Sequence, residues 1–456
     1  MKIYDTLSRE KKEFIPLEGR RVKLFVCGPT VYDYSHIGHA RTYVFFDTMA
    51  SYLRYRGYHV FYLQNITDID DKIINRGRNE GRDPLDISME YTIRYFEDMA
   101  SLRIDSVNIY APATYYMDRI IDQILRLEKM GFAYETEDGV YFNVLMFKDY
   151  GKLSHQSLDT IRAGARVEVN ENKRHPADFA LWKKRKEGEP YWESPWGDGR
   201  PGWHIEDTAI TEYYFGPQYD IHGGGSDLIF PHHECEIAQM ESVSGKKPMV
   251  NYWMHTGLLT IKQERMGKSM GNVINIRDIL EKFEPELLRF FLLSSHYRSP
   301  VDFSYEKMEE IRQSWEKIVI AFRKISKMEK ESNGRFINEI RRFKGMLIDS
   351  MDDDFNTPEA ISSIQAFVNF VNKNMEEMGG EDIIESIKFF NEIDSIFKII
   401  PPERVAEEKI IDILLKVRQM AREKKMYDIS DYIREKLREN NINIEDIQEG
   451  QIWYKK

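Results

Sequence analysis

The most constraining part of this 456-residue chain is the run from Val22 to Ile66. Apolar residues alternate from Val22 to Val26, and Cys27-Gly28-Pro29 stops that strand. A helical pattern then runs from about His39 to Arg56, Gly57 ends it, and a second strand spans His59 to Ile66. Strand, loop, helix and strand within this length make a βαβ unit of a parallel sheet. Such sheets bind ligands at the carboxyl ends of their strands, so Cys27 and Asn65-Ile66-Thr67-Asp68 stand where chemistry is expected.

A chain this long exceeds one core, and the sequence texture divides it. Residues 1–113 predict the first half of a Rossmann-like α/β domain. From 114 to 201 the pattern turns irregular, with the charged stretch Lys183 to Glu189 and the Pro-, Gly- and aromatic-rich Pro190 to Trp203, which predicts an insertion. Sheet-like text resumes at Tyr219-Asp220-Ile221, and 202–250 is expected to complete the domain, with Pro231 opening a helix. Residues 310–401 carry Glu, Lys, Ile and Met at three- and four-residue spacings and predict a helical bundle. After Pro401-Pro402, residues 402–456 predict a small separate module ending in an alternating tail through Ile442, Ile444, Ile447 and Ile452.

Composition removes some function classes. No apolar run approaches the ~20 residues that span a bilayer, and Met1 to Gly19 is too charged for a secretory signal, so a cytoplasmic protein is expected. Two cysteines, Cys27 and Cys235, build no disulfide framework; in a reducing compartment they are metal ligands, nucleophiles or small core residues. The net charge of -11 argues against indiscriminate nucleic-acid binding while leaving room for a basic face.

Four motifs carry chemistry. His36-Ile37-Gly38-His39 lies where a strand-end loop enters a helix, so backbone donors around Gly38 and two imidazoles can face a triphosphate at the positive helix end. There they would stabilise charge on the α-phosphate as a carboxylate attacks it. Gly223-Gly224-Gly225-Ser226-Asp227 lets backbone approach a nucleotide and offers Asp227 to ribose hydroxyls; a plain Gly-rich turn is the competing reading. Arg265-Met266-Gly267-Lys268-Ser269 pairs a flexible glycine with a lysine able to neutralise pyrophosphate, though alone it reads as an ordinary surface loop. Pro231-His232-His233-Glu234-Cys235-Glu236 sets His232 and Glu236 one helical turn apart, as two metal ligands would be, and Cys27 can add a thiolate from across the cleft. A surface His–Glu contact and a buried thiol remain open at this point.

Together these residues resemble the cysteinyl-tRNA synthetases, a family of class I aminoacyl-tRNA synthetases, over essentially the whole chain. The resemblance rests on Phe25 to Asp33, Asn65 to Lys72, Asp220 to Leu228, Phe230 to Glu234 and, further on, Met351-Asp352-Asp353-Asp354-Phe355-Asn356-Thr357-Pro358-Glu359-Ala360. It implies a class I α/β fold: a Rossmann-like parallel sheet with an insertion, a mobile-signature region at 251–309, the helical bundle, and a C-terminal anticodon-binding module. It implies ATP-dependent activation of L-cysteine to cysteinyl-adenylate and transfer to the 2′-hydroxyl of the 3′-terminal adenosine of tRNA(Cys), with Mg2+ entering alongside ATP. On this reading His36, His39 and Lys268 are catalytic, and Gly38, Gly223, Gly224, Gly225, Asp227, Lys268 and Ser269 hold ATP. Cys27, Gly28, Thr67 and Trp203 meet the substrate cysteine. Arg265 and Gly267 depart from the family's usual lysine and serine in the mobile loop, which predicts altered loop mobility.

The family holds one zinc ion on two cysteines, a histidine and a glutamate. Here Cys27, His232 and Glu236 match while the second cysteine position is Asp207, so the resemblance implies a harder, weaker site on Cys27, Asp207, His232 and Glu236. Cys235, three residues from His232, is an alternative thiolate and otherwise a small half-buried side chain. Two rivals remain. A cysteine ligase acting on an amino sugar would share the adenylylation site but lack the C-terminal module, which here includes Asp431 to Leu437, Ile442, Ile444, Glu445, Asp446, Gly450 and Trp453. Trp453 reads equally as a base-stacking or a structural residue. From Glu403 to Lys456 there are 12 Lys+Arg against 12 Asp+Glu, so recognition there cannot rest on bulk positive charge. The second rival is a catalytically degenerate tRNA-binding protein, argued from Asp207, Arg265 and Gly267. A monomer is expected.

Overall fold

The computed structural model describes residues 1–456 except 159–170, 263, 266–271, 332, 403–404, 448–449 and 456, and gives backbone alone at 265, 405–409, 446–447, 450, 452 and 454–455. Gly267, Lys268 and Ser269 therefore lie outside the described residues.

Five strands form the central sheet: β1 (Arg21–Val26), β2 (His59–Ile66), β3 (Ile109–Pro112), β4 (Tyr219–Gly225) and β5 (Val250–Thr256). Their order is β5-β4-β1-β2-β3 and every neighbouring pair is parallel. The chain reverses its direction of winding between β1 and β4, so a crevice opens beyond their carboxyl ends. Those ends are tied together, Val26 lying opposite Gly223 and the Cys27 amide donating to the Gly223 carbonyl at 3.0 Å. The sheet's second half runs to Thr256, past residue 250; β5 is buried at all but one of its positions, so no apolar–polar alternation marks it.

Helix α1 (Ile37–Tyr55) crosses from β1 to β2 and is buried on most of its circumference, polar Arg41, Asp47 and Thr48 included. Its one buried acid, Asp47, accepts from Arg289 at 2.8 Å and from Lys398 at 2.9 Å, and Lys398 also meets Asp105. Burial by itself would raise the Asp47 carboxyl, and the two cations overcome that and hold it below the usual carboxylate range. Arg289 further donates to the carbonyls of Leu102 and Phe397, so this network joins the sheet's helix to the last helix of the bundle.

The insertion is more regular than its sequence suggests. A helix at Met117–Lys129 is followed by an antiparallel sheet of Ala133–Glu135, Gly139–Phe142, Phe179–Lys184 and Gly199–Pro201. Strands this short carry too few alternations to register as a pattern. Four helices, Tyr305–Ile325, Ile337–Asp352, Thr357–Asn374 and Gly380–Phe397, share a core with α1, and Met1–Ile400 is one compact unit.

Pro401–Lys456 is a second unit. Helices Val405–Glu423 and Tyr427–Glu439 precede a hairpin of Ile442–Ile447 with Gly450–Lys455. Ile411, Leu415, Ile433, Leu437, Ile442 and Ile444 form its core, and Trp453, paired across the hairpin with Ile444, packs against that core.

Candidate active site and metal centre

Two clusters of histidine stand at the carboxyl end of the sheet. The first opens α1. His36 is the helix cap: its Nδ1 accepts the Gly38 amide at 3.1 Å, and His39 Nδ1 reaches back to the His36 amide at 3.3 Å. Imidazoles here do the work of the usual Ser–Glu capping pair. The two rings stack at 3.8 Å between centroids. With both Nδ1 atoms accepting, each ring carries its proton on Nε2, so two N–H donors sit at the positive end of a 19-residue helix. The Ile37 amide donates to Ile274 at 3.0 Å and the Ile276 amide to Ser35 at 2.9 Å. The chain that follows residues 266–271 is thus pinned to the His36 loop.

Two glycines owe their place to packing. A Cβ on Gly28 would lie 1.7 Å from the Asn65 carbonyl oxygen, and one on Gly223 would lie 2.3 Å from the Phe46 ring. Gly224 lies under the His233 ring, and Asp227 is exposed on the short turn Ser226–Leu228. Asn65 locks the ends of β1 and β2: its Oδ1 accepts the Gly28 amide at 2.5 Å, and its Nδ2 donates to Asp207 at 2.6 Å and to Thr67 at 3.4 Å.

The second cluster is buried and gathers around Cys27. Helix α2 (Trp203–Phe215) supplies Asp207, β4 supplies His222, and the turn Ile229–His233 leading into α3 (Glu234–Ser244) supplies His232, His233 and Glu236. Pro231 does not open α3 as expected; Phe230 is extended at φ -136, ψ 132, and regular helix begins only at Glu234. His232 and Glu236 still meet, at 3.1 Å. Cys27 Sγ lies 3.5 Å from Asp207, 3.3 Å from His222 Nε2 and 3.1 Å from His233 Nε2. His232 Nε2 is 3.0 Å from Asp207 Oδ2, and the Trp203 indole stacks on the His232 ring at 4.1 Å.

Every imidazole in this group has its far nitrogen held. His222 Nδ1 meets the Tyr219 hydroxyl at 2.7 Å, His232 Nδ1 meets His204 at 2.7 Å, and His233 Nδ1 meets His255 at 2.8 Å. This is how metal-binding histidines are oriented. Burial, then the neighbouring rings, push His222 and His233 well below the usual histidine range, keeping lone pairs available. Burial, then Glu236 and Asp207, push the Cys27 thiol up, and burial, then Asp207, push Glu236 up; a divalent cation among them would reverse both shifts. Neither oxygen of buried Glu236 makes a hydrogen bond, which leaves both open to a cation. Zinc fits such a set of sulfur, nitrogen and oxygen donors.

Among the described residues, two four-donor groups can hold an ion: Cys27, Asp207, His232 and Glu236, as expected from the sequence, and Cys27, His222, His233 and Glu236. His222 and His233 escaped the sequence reading, although His233 adjoins His232 and His222 sits inside the Asp220 to Leu228 block. Cys235 turns away; its Sγ meets the Tyr150 hydroxyl at 3.3 Å in the insertion-side core. Glu206, beside Asp207, is likewise buried without a hydrogen-bond partner for either oxygen, and burial, then Asp207, Asp68 and Asp70, push it up.

Residues 13–313 match the family described as tRNA synthetases class I (C) catalytic domain, and residues 347–399 match the DALR domain. A cysteine–tRNA ligase of Thermoplasma volcanium is 50% identical over 454 residues, covering 100% of both chains, and that of Thermoplasma acidophilum is 49% identical with the same coverage. In fold, the chain is similar to Mycobacterium tuberculosis methionyl-tRNA synthetase in complex with methionyl-adenylate, with a TM-score of 0.63 at 15% identity over 87% of this chain and 94% of that one. Parallel sheet, strand-end clusters and end-to-end likeness agree: the chain belongs to the cysteine–tRNA ligase family of class I tRNA synthetases.

Proposed function

We propose that this chain activates L-cysteine with ATP to cysteinyl-adenylate and pyrophosphate, and then transfers the cysteinyl group to the 3′-terminal adenosine of tRNA(Cys), releasing AMP. The observation that carries the reading is the meeting, at one switch point of the sheet, of a donor-capped helix end and a buried thiol-bearing cation site, with Cys27 directly between β1 and the His36 loop.

In the first step the Nε2–H groups of His36 and His39 stabilise charge on the α-phosphate as the cysteine carboxylate attacks it. Gly38, Gly223, Gly224 and Gly225 bring backbone close to the nucleotide, Asp227 takes the ribose, and Lys268 with Ser269 neutralises the departing pyrophosphate with its magnesium. Gly28, Thr67 and Trp203 border the amino acid, Trp203 closing over His232. A zinc ion bound by Cys27 and its neighbours would offer a soft acceptor to the substrate thiol, the property that separates cysteine from serine where shape cannot. With one thiolate at this site, the ion is held less tightly than at a two-cysteine site.

The amino-sugar rival is disfavoured by the folded unit Pro401–Lys456 and by the end-to-end likeness to tRNA ligases. We read 402–456 as the anticodon module, 310–401 as the bundle, 251–309 as the mobile-signature region and the chain as a cytoplasmic monomer. No helix among the described residues is long and apolar enough to cross a membrane. Aminoacylation of tRNA(Cys) with cysteine, run with and without a chelator, is the test. Charging that needs metal is expected; cysteine-dependent pyrophosphate exchange that is absent while tRNA binding survives would return the degenerate reading.

A further inference from the structure

Parallel sheets are covered on both faces, yet one face of β1 and β2 is open at its amino end. On the covered face, Val22, Leu24, Val60 and Tyr62 pack with α1 in one core. On the other face, Phe25 and Leu63 enter the insertion-side core. Before those two residues the same face carries Arg21, Lys23, His59 and Phe61, none of them buried. The register sets Arg21 opposite His59 and Lys23 opposite Phe61, so the four side chains form one patch.

This patch lines a cleft of about 700 Å³, within the ~300–1,000 Å³ of small-molecule sites, and Tyr214 and Phe215 at the end of α2 line it too. Phe61 is 37% exposed, and its ring is steadied by Tyr214 at 6.1 Å and by the edge of Phe215 at 5.7 Å between centroids. An aromatic face held in this way is a platform for another flat ring.

The charge of the cleft runs against that of the chain. Arg21, Lys23 and Arg54 line it with one acid, Glu18, and three cations less one carboxylate leave +2 on a chain of net charge -11. Glu18 is already taken by Lys23 at 2.7 Å. Arg54 spends Nη2 on the Val60 and Ser106 carbonyls and on Asn108 Oδ1, at 3.2, 2.8 and 3.1 Å, all neutral acceptors. Glu18 acts on Arg21, and Asp47 and Asp105 on Arg54, through space alone, so among the described residues neither guanidinium touches a carboxylate.

We propose that this cleft is a binding site for a planar aromatic or heteroaromatic anion, its ring on Phe61 and its carboxylate or phosphate on Arg21 and Arg54. The catalytic edge lies at the other end of the same strands: the six residues from Arg21 to Cys27, at ~3.3 Å each, put about 20 Å between them. A ligand here touches no reacting atom and does not compete with ATP or cysteine.

The probe is 8-anilino-1-naphthalenesulfonate, a flat anion that fluoresces on apolar contact, titrated into the full chain with ATP and cysteine saturating. A single dye per chain is expected. The uncharged N-phenyl-1-naphthylamine should bind at least ~10-fold more weakly, as loss of a charge-assisted contact gives. Phe61→Ser and Arg21→Glu should each weaken the dye by ~10-fold or more. Arg21→Glu, at an exposed position, should keep the wild-type circular dichroism spectrum, so it decides should Phe61→Ser misfold. Displacement by uridine 5′-monophosphate assigns a phosphate head, and displacement by indole-3-acetate a carboxylate. Dye binding that disappears when ATP and cysteine are added, equal binding of the uncharged dye, unchanged affinity in Arg21→Glu, or displacement by neither competitor overturns the site.

Discussion

The two histidine clusters, both at the sheet's carboxyl edge, use one side chain in opposite ways. His36 and His39 are partly exposed, fixed by backbone amides at a helix end, and offer protons. His204, His222, His232, His233 and His255 are almost all buried and fixed by one another and by Tyr219 and Thr6, and burial drives His204, His222, His233 and His255 below the usual histidine range. What separates them is solvent. At a helix terminus an imidazole is tied by Nδ1 and keeps a donor for a phosphate; inside the fold, burial strips the positive charge and turns the ring into a ligand or an acceptor. A substitution that moves a reaction step should come from the first group, and one that moves metal content or acid stability from the second.

The largest effect that would sharpen this contrast is at the helix end. His39→Asn or His36→Gln should lower kcat of cysteine-dependent pyrophosphate exchange by about 10²–10³-fold with zinc content unchanged, as loss of one transition-state donor does. A variant that loses zinc as well would break the separation. Stripping the metal should do the reverse: the cysteine-over-serine ratio in exchange should fall by about 10²-fold, while ATP binding, followed by equilibrium dialysis, holds.

The acid response comes next. Burial drives His255 down to about 3, against an unfolded value near 6.5. Above pH 6.5 the ring is neutral in both states and adds nothing. Below it the unfolded chain takes up a proton that the folded chain refuses, so stability falls as pH drops from 6.5 towards 3, by about 1.4 kcal/mol per unit for this ring alone. Thermal unfolding of metal-free protein from pH 7 to 5 should show the loss, about 2 kcal/mol at pH 5 from His255, and His255→Gln should remove that share while the slope from His222 and His233 remains. The smallest effect is at the lid of the cluster. Trp203→Ala should raise KM for cysteine by up to about 10-fold and Trp203→Phe by much less, since ring stacking on His232 contributes about 0.5–1.5 kcal/mol.

Much of this was legible in the sequence, for reasons that differ from place to place. The β1–α1–β2 unit shows in periodicity, because α1 is long and its strands end in Cys27-Gly28-Pro29 and Thr67-Asp68. The hairpin around Ile444 and Trp453 shows for the same reason. The insertion's sheet is hidden by strands as short as Gly199–Pro201, and β5 by burial of nearly all its residues. At the site, helical spacing points to His232 and Glu236, yet the segment before Glu234 is not regular helix; His233 reaches Cys27, and Cys235, buried on the far side, meets Tyr150. His222 carries no ligand spacing of its own in the sequence, since it stands alone on β4 ahead of Gly223-Gly224-Gly225. Gly223 proves to serve Phe46 as much as any phosphate, since a side chain there would collide with that ring. Lys268 and Ser269 lie outside the described residues and are assigned from the sequence alone.

The Asp47 charge cluster has a mechanical meaning. Helix α1 is a stiff rod of about 28 Å; one end is the His36 cap and the middle is bolted, through Arg289 and Lys398, to the final turn of the bundle. Removing one partner from a fully buried charge group costs about 3–5 kcal/mol, so the bolt does not slip under thermal motion. The His36 end of the rod and the four-helix scaffold beneath it are therefore tied into a single part through the middle of α1.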